Sequence, residues 1–301
     1  MTAIVLALSN IILLLLLAPL LEGLIRKLKA VIQSRKGPPI IQPYLDLLKL
    51  LGKEDLNPGG GVLFRFAPVA CLGAILAAVT FTPIGGKPAL GGVAGDMIVW
   101  VYFISMAAVA VILGAFASRN PYAYVGASRE MMMVLTVEPV AIVALLVGAV
   151  KAKTLLMGGV IDWQLAHGGT ISMAFAGLAF FLALQANVGK LPFDIPEAET
   201  EIMGGPFIEY SGPRLALFKM AFYVRQLLFA LVLVSVFVPW PNVAVFPLSL
   251  IAVLVKVLIV YVLIGVIDTV NPRLRIDQSM GYFSRVVFVS LAALAFAVIG
   301  V

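Results

Sequence analysis

Three observations predict an all-α integral membrane protein of about eight transmembrane helices, with a cytoplasmic amphipathic helix and a long acidic loop. Of the 301 residues, 62% are hydrophobic and 12% charged, and the mean hydropathy is +1.10. No water-soluble fold buries that much apolar surface, so the bilayer must act as solvent. The apolar residues gather into runs of roughly 20, the length that crosses a hydrocarbon core, and the charges gather between the runs. A net charge of +6 would suggest nucleic acid for a soluble chain. In a membrane chain, Lys and Arg first report orientation.

The first run, residues 3–21, has no basic residue before it and too long an apolar core for a signal peptide, so it reads as a retained span. In the segment that follows, Leu45, Leu47, Leu48, Leu50 and Leu51 face Asp46, Lys49 and Lys53 at near-helical spacing. That pattern predicts a short amphipathic helix lying along the membrane surface. Further apolar runs at 64–82, 97–117, 131–150, 169–188, 215–238, 244–267 and 284–301 complete eight spans. The links are short apart from the first and the acidic one, and no repeat or low-complexity tract occurs, so residues 1–301 read as one polytopic domain. Sixteen of the 21 Lys and Arg residues fall on one alternating set of links, against Lys87, Lys151 and Lys153 on the other and Arg225 and Lys256 within spans. The positive-inside rule then places both termini outside. The amphipathic helix, the NPYAYVGASRE and NPRLRID links and the acidic loop face the cytoplasm.

One cysteine, Cys71, and one histidine, His167, are too few soft ligands for an iron–sulfur cluster, a bis-His haem or a thiolate–imidazole zinc site. Cys71 reads as a small core residue and His167 as a loop residue. The chain alone is expected to carry no redox cofactor.

Chemistry concentrates in residues 189–213, GKLPFDIPEAETEIMGGPFIEYSGP, which hold Asp194, Glu197, Glu199, Glu201 and Glu209, five of the fifteen acids. Prolines 192 and 196 and the glycines at 204, 205 and 212 oppose a continuous helix. The segment is either an ordinary solvated loop or a loop folded back onto protein. The apolar residues alternating with its acids (Phe193, Ile195, Ile202, Phe207, Ile208) favour the second, and acids at a membrane site mark ion pathways. Within the spans, Glu130 and Glu138 lie eight residues apart, about 80° around a helix and near 12 Å along it. Arg225 and Lys256 also lie within spans and need partners there. These charges form either static ion pairs or, together with the acids of the loop, a hydrated file that carries protons. Asp96 and Asp268, at span ends, are expected to snorkel to the interface. Arg129 reads as an interface anchor, or as a partner for an acid of the loop.

RKGPP, QPYLDLLKLLGKE, GASREMMMVLTVEP, LPFDIPEAETEI and EYSG, in that order over nearly the whole chain, resemble the membrane subunit at the heel of respiratory complex I (NADH dehydrogenase subunit 1) and its relatives in membrane-bound [NiFe] hydrogenases. Two departures point to the hydrogenase branch, the formate-, CO- or ferredoxin-linked types. RKGPP runs almost directly into IIQP, and the loop opens Gly189-Lys190-Leu191-Pro192-Phe193-Asp194 where quinone-reducing members usually have Asn-Arg-x-Pro-Phe-Asp. The resemblance implies a subunit that anchors a hydrophilic arm bearing [NiFe] and [4Fe–4S] centres and connects it to antiporter-like membrane subunits. The implied partners are the hydrogenase large and small subunits and a ferredoxin-like iron–sulfur subunit. It assigns no catalytic residue here. Glu130, Glu138, Asp194, Glu197, Glu199, Glu201, Arg225 and Lys256 become the expected coupling residues, and Arg35, Lys36, Asp46, Lys49 and Glu209 the expected arm-docking residues, Glu209 with a structural alternative. The competing expectations are a quinone-binding complex I subunit, which needs a cavity beneath the amphipathic helix, and a free-standing transporter, which the missing inverted repeat opposes.

Overall fold

The computed structural model describes residues 2–56, 61–84, 96–241 and 248–300. Its helices are α1 (Thr2–Ile32), α2 (Gln42–Leu51), α3 (Val62–Phe81), α4 (Asp96–Ala117), α5 (Pro121–Ala152), α6 (Met157–His167), α7 (Ile171–Asn187), α8 (Glu199–Ile202), α9 (Gly212–Val232, continued by a π-helical turn Leu233–Phe237), α10 (Leu248–Val270) and α11 (Ile276–Ile299). Each of the eight apolar runs falls on a helix. Seven of these are long and apolar enough to cross a membrane, and the eighth, α7, is an apolar helix of 17 residues. The protein is a multi-pass α-helical membrane protein.

Helix α9 is the axis of the bundle: 83% of its most apolar window is buried, against 28% for α1, α10 and α11. It packs on α1, α2, α3, α7 and α10, and α3, α4, α5, α7 and α11 form the rest of the bundle. Phe229 of α9 fixes two of these neighbours through its ring, meeting Trp100 of α4 edge-on at 5.2 Å and Phe180 of α7 at 5.8 Å.

Several helices run beyond their apolar runs, because hydropathy ends a span at its first charges whereas the backbone continues wherever those charges find partners. Helix α1 extends to Ile32 and carries Glu22, Arg26 and Lys29. Helix α5 begins at Pro121, ten residues before its apolar run. There the Asn120 side chain accepts from Tyr122 N–H at 2.8 Å, and proline sits in the first turn, where its missing donor does no harm. The NPYAYVGASRE link is therefore mostly helix. Likewise α11 begins at Ile276, eight residues early, and α6 occupies what was expected to be a link. His167 is the last residue of α6, stacked on Trp163 at 4.6 Å. Cys71 is buried.

The amphipathic helix is present as α2, but its apolar residues divide between two faces. Pro43 and Leu47 are buried, while Ile41, Leu45, Leu48 and Leu51 are exposed. Asp268 does not snorkel: it is buried and bound by Lys29 Nζ at 3.0 Å and Leu191 N–H at 3.1 Å. Lys87, the side chain of Asp96 and the start of the run at 244–267 lie outside the described residues.

Candidate functional site

The acidic segment is folded onto the bundle, with latches to α1, α5, α10, α11 and the link between α10 and α11. Lys190 Nζ reaches Glu22 of α1 at 2.7 Å, and the Leu191 amide donates to Asp268 of α10. The Pro192 carbonyl accepts from Leu274 N–H at 2.9 Å. Asp194 pairs with Arg273 at 2.8 Å, and Glu201 with Arg129 of α5 at 2.7 Å. Phe193 lies 4.8 Å from the Phe283 ring of α11. Gly126 lets the far end of the loop sit against α5, since a Cβ there would come within 2.5 Å of Pro206 Cδ and 2.7 Å of Gly205 Cα.

Between this loop and the helices lies a cavity of about 460 Å³ bounded by α1, α9 and the loop. Six charged side chains line it: Glu22, Arg26, Lys190, Glu197, Glu199 and Lys219. A second, smaller chamber of about 30 Å³ is lined by Glu130, Asp194, Glu197 and Arg225 and floored by Asn187. A third gap, of about 10 Å³, lies at Glu138, Ser105, Trp100 and Asn187. Glu197 stands on the wall shared by the first two, and Asn187 on that shared by the second and third. A water occupies about 10–15 Å³ on this measure, so the two larger chambers have room for water. Shared walls set the three spaces in a line from the loop to the middle of α5, with Ser105, Glu138 and Asn187 the polar residues of the otherwise apolar third.

The charges along this line are unequally satisfied. Arg225 is buried, donates to the Asn187 carbonyl, lies 4.0 Å from Glu130 and rests over the Phe222 ring at 5.1 Å. Glu138 accepts from Ser105 Oγ at 2.9 Å. Glu197 is bonded to no base among the described residues. By area it is exposed, and it lines both of these partly open spaces, whose walls take much of its solvent. That desolvation, with the Asp194 carboxylate nearby, pushes its carboxyl up to about 7. Glu201 goes the other way, held below the ordinary carboxylate value chiefly by its hydrogen bond from Arg129.

Of the expected coupling residues, Glu130, Glu138, Glu197 and Arg225 converge on the line, Asp194 borders it, and Glu199 faces the large cavity. Glu201 turns away, to a separate pocket with Arg129 and Arg273. Lys256 stands apart: it donates to the Val238 and Pro239 carbonyls at 3.0 Å each, about 20 Å along α9 from Arg225. Its required partners are backbone oxygens, so it forms no part of the file. Among the expected docking residues Arg35, Lys36 and Lys49 are exposed. Asp46 is taken up by Arg26 at 2.9 Å and Gln42 at 3.0 Å, and Glu209 by Asn120 at 2.5 Å, so both acids are engaged within the chain.

Sequence reasoning missed Glu22, Tyr223, Asn187 and Ser105 as site residues. Glu22 and Arg26, four apart and 3.4 Å from each other, were the available signal. The Arg26 guanidinium also donates to Tyr223 Oη at 3.0 Å, which joins α1 to α9 at the cavity wall.

The profile of the NADH dehydrogenase family matches residues 4–299. The chain is 32% identical to formate hydrogenlyase subunit 4 of Escherichia coli (strain K12), over 92% of this chain and 94% of that one. It is likewise 32% identical to one of the NADH-quinone oxidoreductase subunits of Geobacter metallireducens, over 66% of each. Among solved structures it resembles a chain of the membrane-bound sulfane sulfur reductase, an archaeal respiratory membrane complex. The TM-score is 0.87 and the identity 28%, over 99% of this chain and 100% of that one.

Proposed function

This chain belongs to the NADH dehydrogenase family, as a membrane subunit of a multisubunit respiratory complex, and from that premise we propose that it anchors and couples an ion-translocating [NiFe] hydrogenase. Electron transfer and proton reduction in a hydrophilic arm would drive H⁺ or Na⁺ across the membrane. Large and small hydrogenase subunits and a ferredoxin-like iron–sulfur subunit would supply the [NiFe] and [4Fe–4S] centres, and antiporter-like membrane subunits would continue the ion path. The loop end of the bundle faces the cytoplasm in this reading and both termini face outward, as the concentration of Lys and Arg at that end requires.

The observation that carries the proposal is the polar line from the loop to Glu138, on which Glu197 has no base bonded to it. A redox change in a docked arm alters the field at the loop. The group that responds most is a carboxyl whose two protonation states are nearly equal in energy near neutrality, and that group is Glu197. A proton gained or lost there changes the field at Glu130, where Arg225 holds a loose pair. Glu138 follows beyond Asn187.

A quinone-binding subunit is the second reading, supported by the large cavity among α1, α9 and the loop. Its six charged side chains suit water and ions better than an isoprenoid quinone, which favours the coupling role. The test is to purify the complex from native membranes through a tag on this chain. The proposal expects nickel and iron in the preparation and hydrogen evolution. A nickel-free complex that reduces quinone with NADH would replace it with the second reading.

A further inference from the structure

Lys190 is the charged residue of the cavity whose surroundings give it somewhere else to go. Its backbone is anchored on one side, where Leu191 N–H holds Asp268, and borders Gly189 in the left-handed region on the other (φ +68°). Its four-carbon stem reaches into a space of about 460 Å³ and ends 2.7 Å from Glu22, and Glu197 lines the same space. The bases around Glu197 differ in freedom. Arg225 is committed to Asn187 and Glu130, and Arg273 to Asp194 and Thr200. Lys219 lines the cavity near Asp46, and Arg26 is spread over Glu22, Asp46 and Tyr223. The charges of Lys190 and Arg225 are the cationic ones that act on Glu197, against those of Asp194 and Glu130. Glu22 would not be stranded by a departure of Lys190, because Arg26 Nε already lies 3.4 Å from the same oxygen. A compact ammonium on a flexible stem suits exchange between two carboxylates better than a planar guanidinium fork does.

We propose that Lys190 is a positioning residue that exchanges Glu22 for Glu197 as its partner when Glu197 ionises, so that the two acids lining the cavity compete for one cation. The proposal deepens the coupling role and rests on it for its physiological meaning. In the exchange no bond other than an O–H is broken: Glu197 gives its proton to water in the cavity, the ammonium crosses, and Glu22 keeps Arg26.

The test uses the assembled complex and follows the titration of the Glu197 carboxyl by difference infrared spectroscopy, identified by its loss in Glu197→Gln. Lys190→Met should raise the midpoint by roughly one pH unit, a tenfold change in proton affinity. Glu22→Gln should lower it, since Lys190 is then free to attend Glu197 throughout. The deciding comparison is Glu22→Gln in the Lys190→Met background, where the shift caused by Glu22 should vanish. A direct field effect of Glu22 would persist there and overturn the exchange. If Lys190→Met does not assemble, the same comparison in Lys190→Arg should give a reduced Glu22 shift, and an undiminished one overturns the proposal equally. Were the exchange found while Glu197→Gln left ion translocation intact, the coupling role would fail and the exchange would stand.

Discussion

Glu197 differs from Asp194 and Glu201 of its loop, which are paired with Arg273 and Arg129, because no base is bonded to it, and the consequences can be measured. Its carboxyl, near 7 against an ordinary 4.5, keeps its proton in the folded protein over a range where the unfolded chain has lost it. The folded state then binds more protons, so the stability contributed by this group is full below about 4.5 and is lost as pH rises through about 7. Thermal unfolding of the wild-type complex should therefore lose stability across that window relative to Glu197→Gln, which has nothing to titrate. Parallel pH profiles for the two would show that Glu197 is an ordinary ionised carboxylate. In function, Glu197→Gln should leave hydrogen evolution with an artificial donor near wild type and lower the number of ions moved per hydrogen evolved. Arg225 is a different case: it is buried and its neighbours depend on its charge, so Arg225→Met should lower stability by about 3–5 kcal/mol, the range for breaking a buried pair. A denaturation midpoint equal to wild type would show that the 4.0 Å contact with Glu130 does not hold the bundle.

Among elements, the loop and α5 depend on each other through Gly126. Because a Cβ there collides with backbone and ring atoms of Gly205 and Pro206, Gly126→Ala should force the loop outward, costing about 1–3 kcal/mol as an overpacked contact does. Limited proteolysis within 188–211 of the assembled complex should become faster, and an unchanged cleavage rate would mean the contact is not tight. The same elements show where sequence reading works. The spans were legible because lipid demands long apolar runs, and Glu130, Glu138 and Arg225 because a charge inside such a run stands out. Glu22 was not, because the first charge was taken as the edge of α1. Its main partner, Lys190, lies 168 positions away, and no local pattern encodes that pairing. Asp268 was misread for the same reason. Lys256 had the right signal and the wrong inference, since its charge is met by backbone carbonyls at the end of α9, not by an acid.

For the whole molecule, the account requires the loop end to face the cytoplasm. In a variant lacking Cys71, cysteines at Gln33 and Thr200 should resist a membrane-impermeant reagent applied to intact cells and react once the membrane is opened. Efficient labelling of both from outside would invert the bundle and detach the cavity from any cytoplasmic arm. The bundle is organised around α9, which carries Lys219, Tyr223 and Gln226 past the large cavity and Arg225 past the smaller chamber, so the polar line is a property of the assembled helices and not of any one of them. Its inner end is Glu138, which is held by a serine hydroxyl and not by a base, so its neutralisation leaves no cation orphaned. The most direct test of the central claim is the number of H⁺ or Na⁺ ions translocated per hydrogen evolved by the reconstituted complex carrying Glu138→Gln. The account predicts a complex that assembles, evolves hydrogen from an artificial donor near the wild-type rate and translocates several-fold fewer ions per turnover. An unchanged ratio of ions to hydrogen would contradict it and remove Glu138 from the pathway.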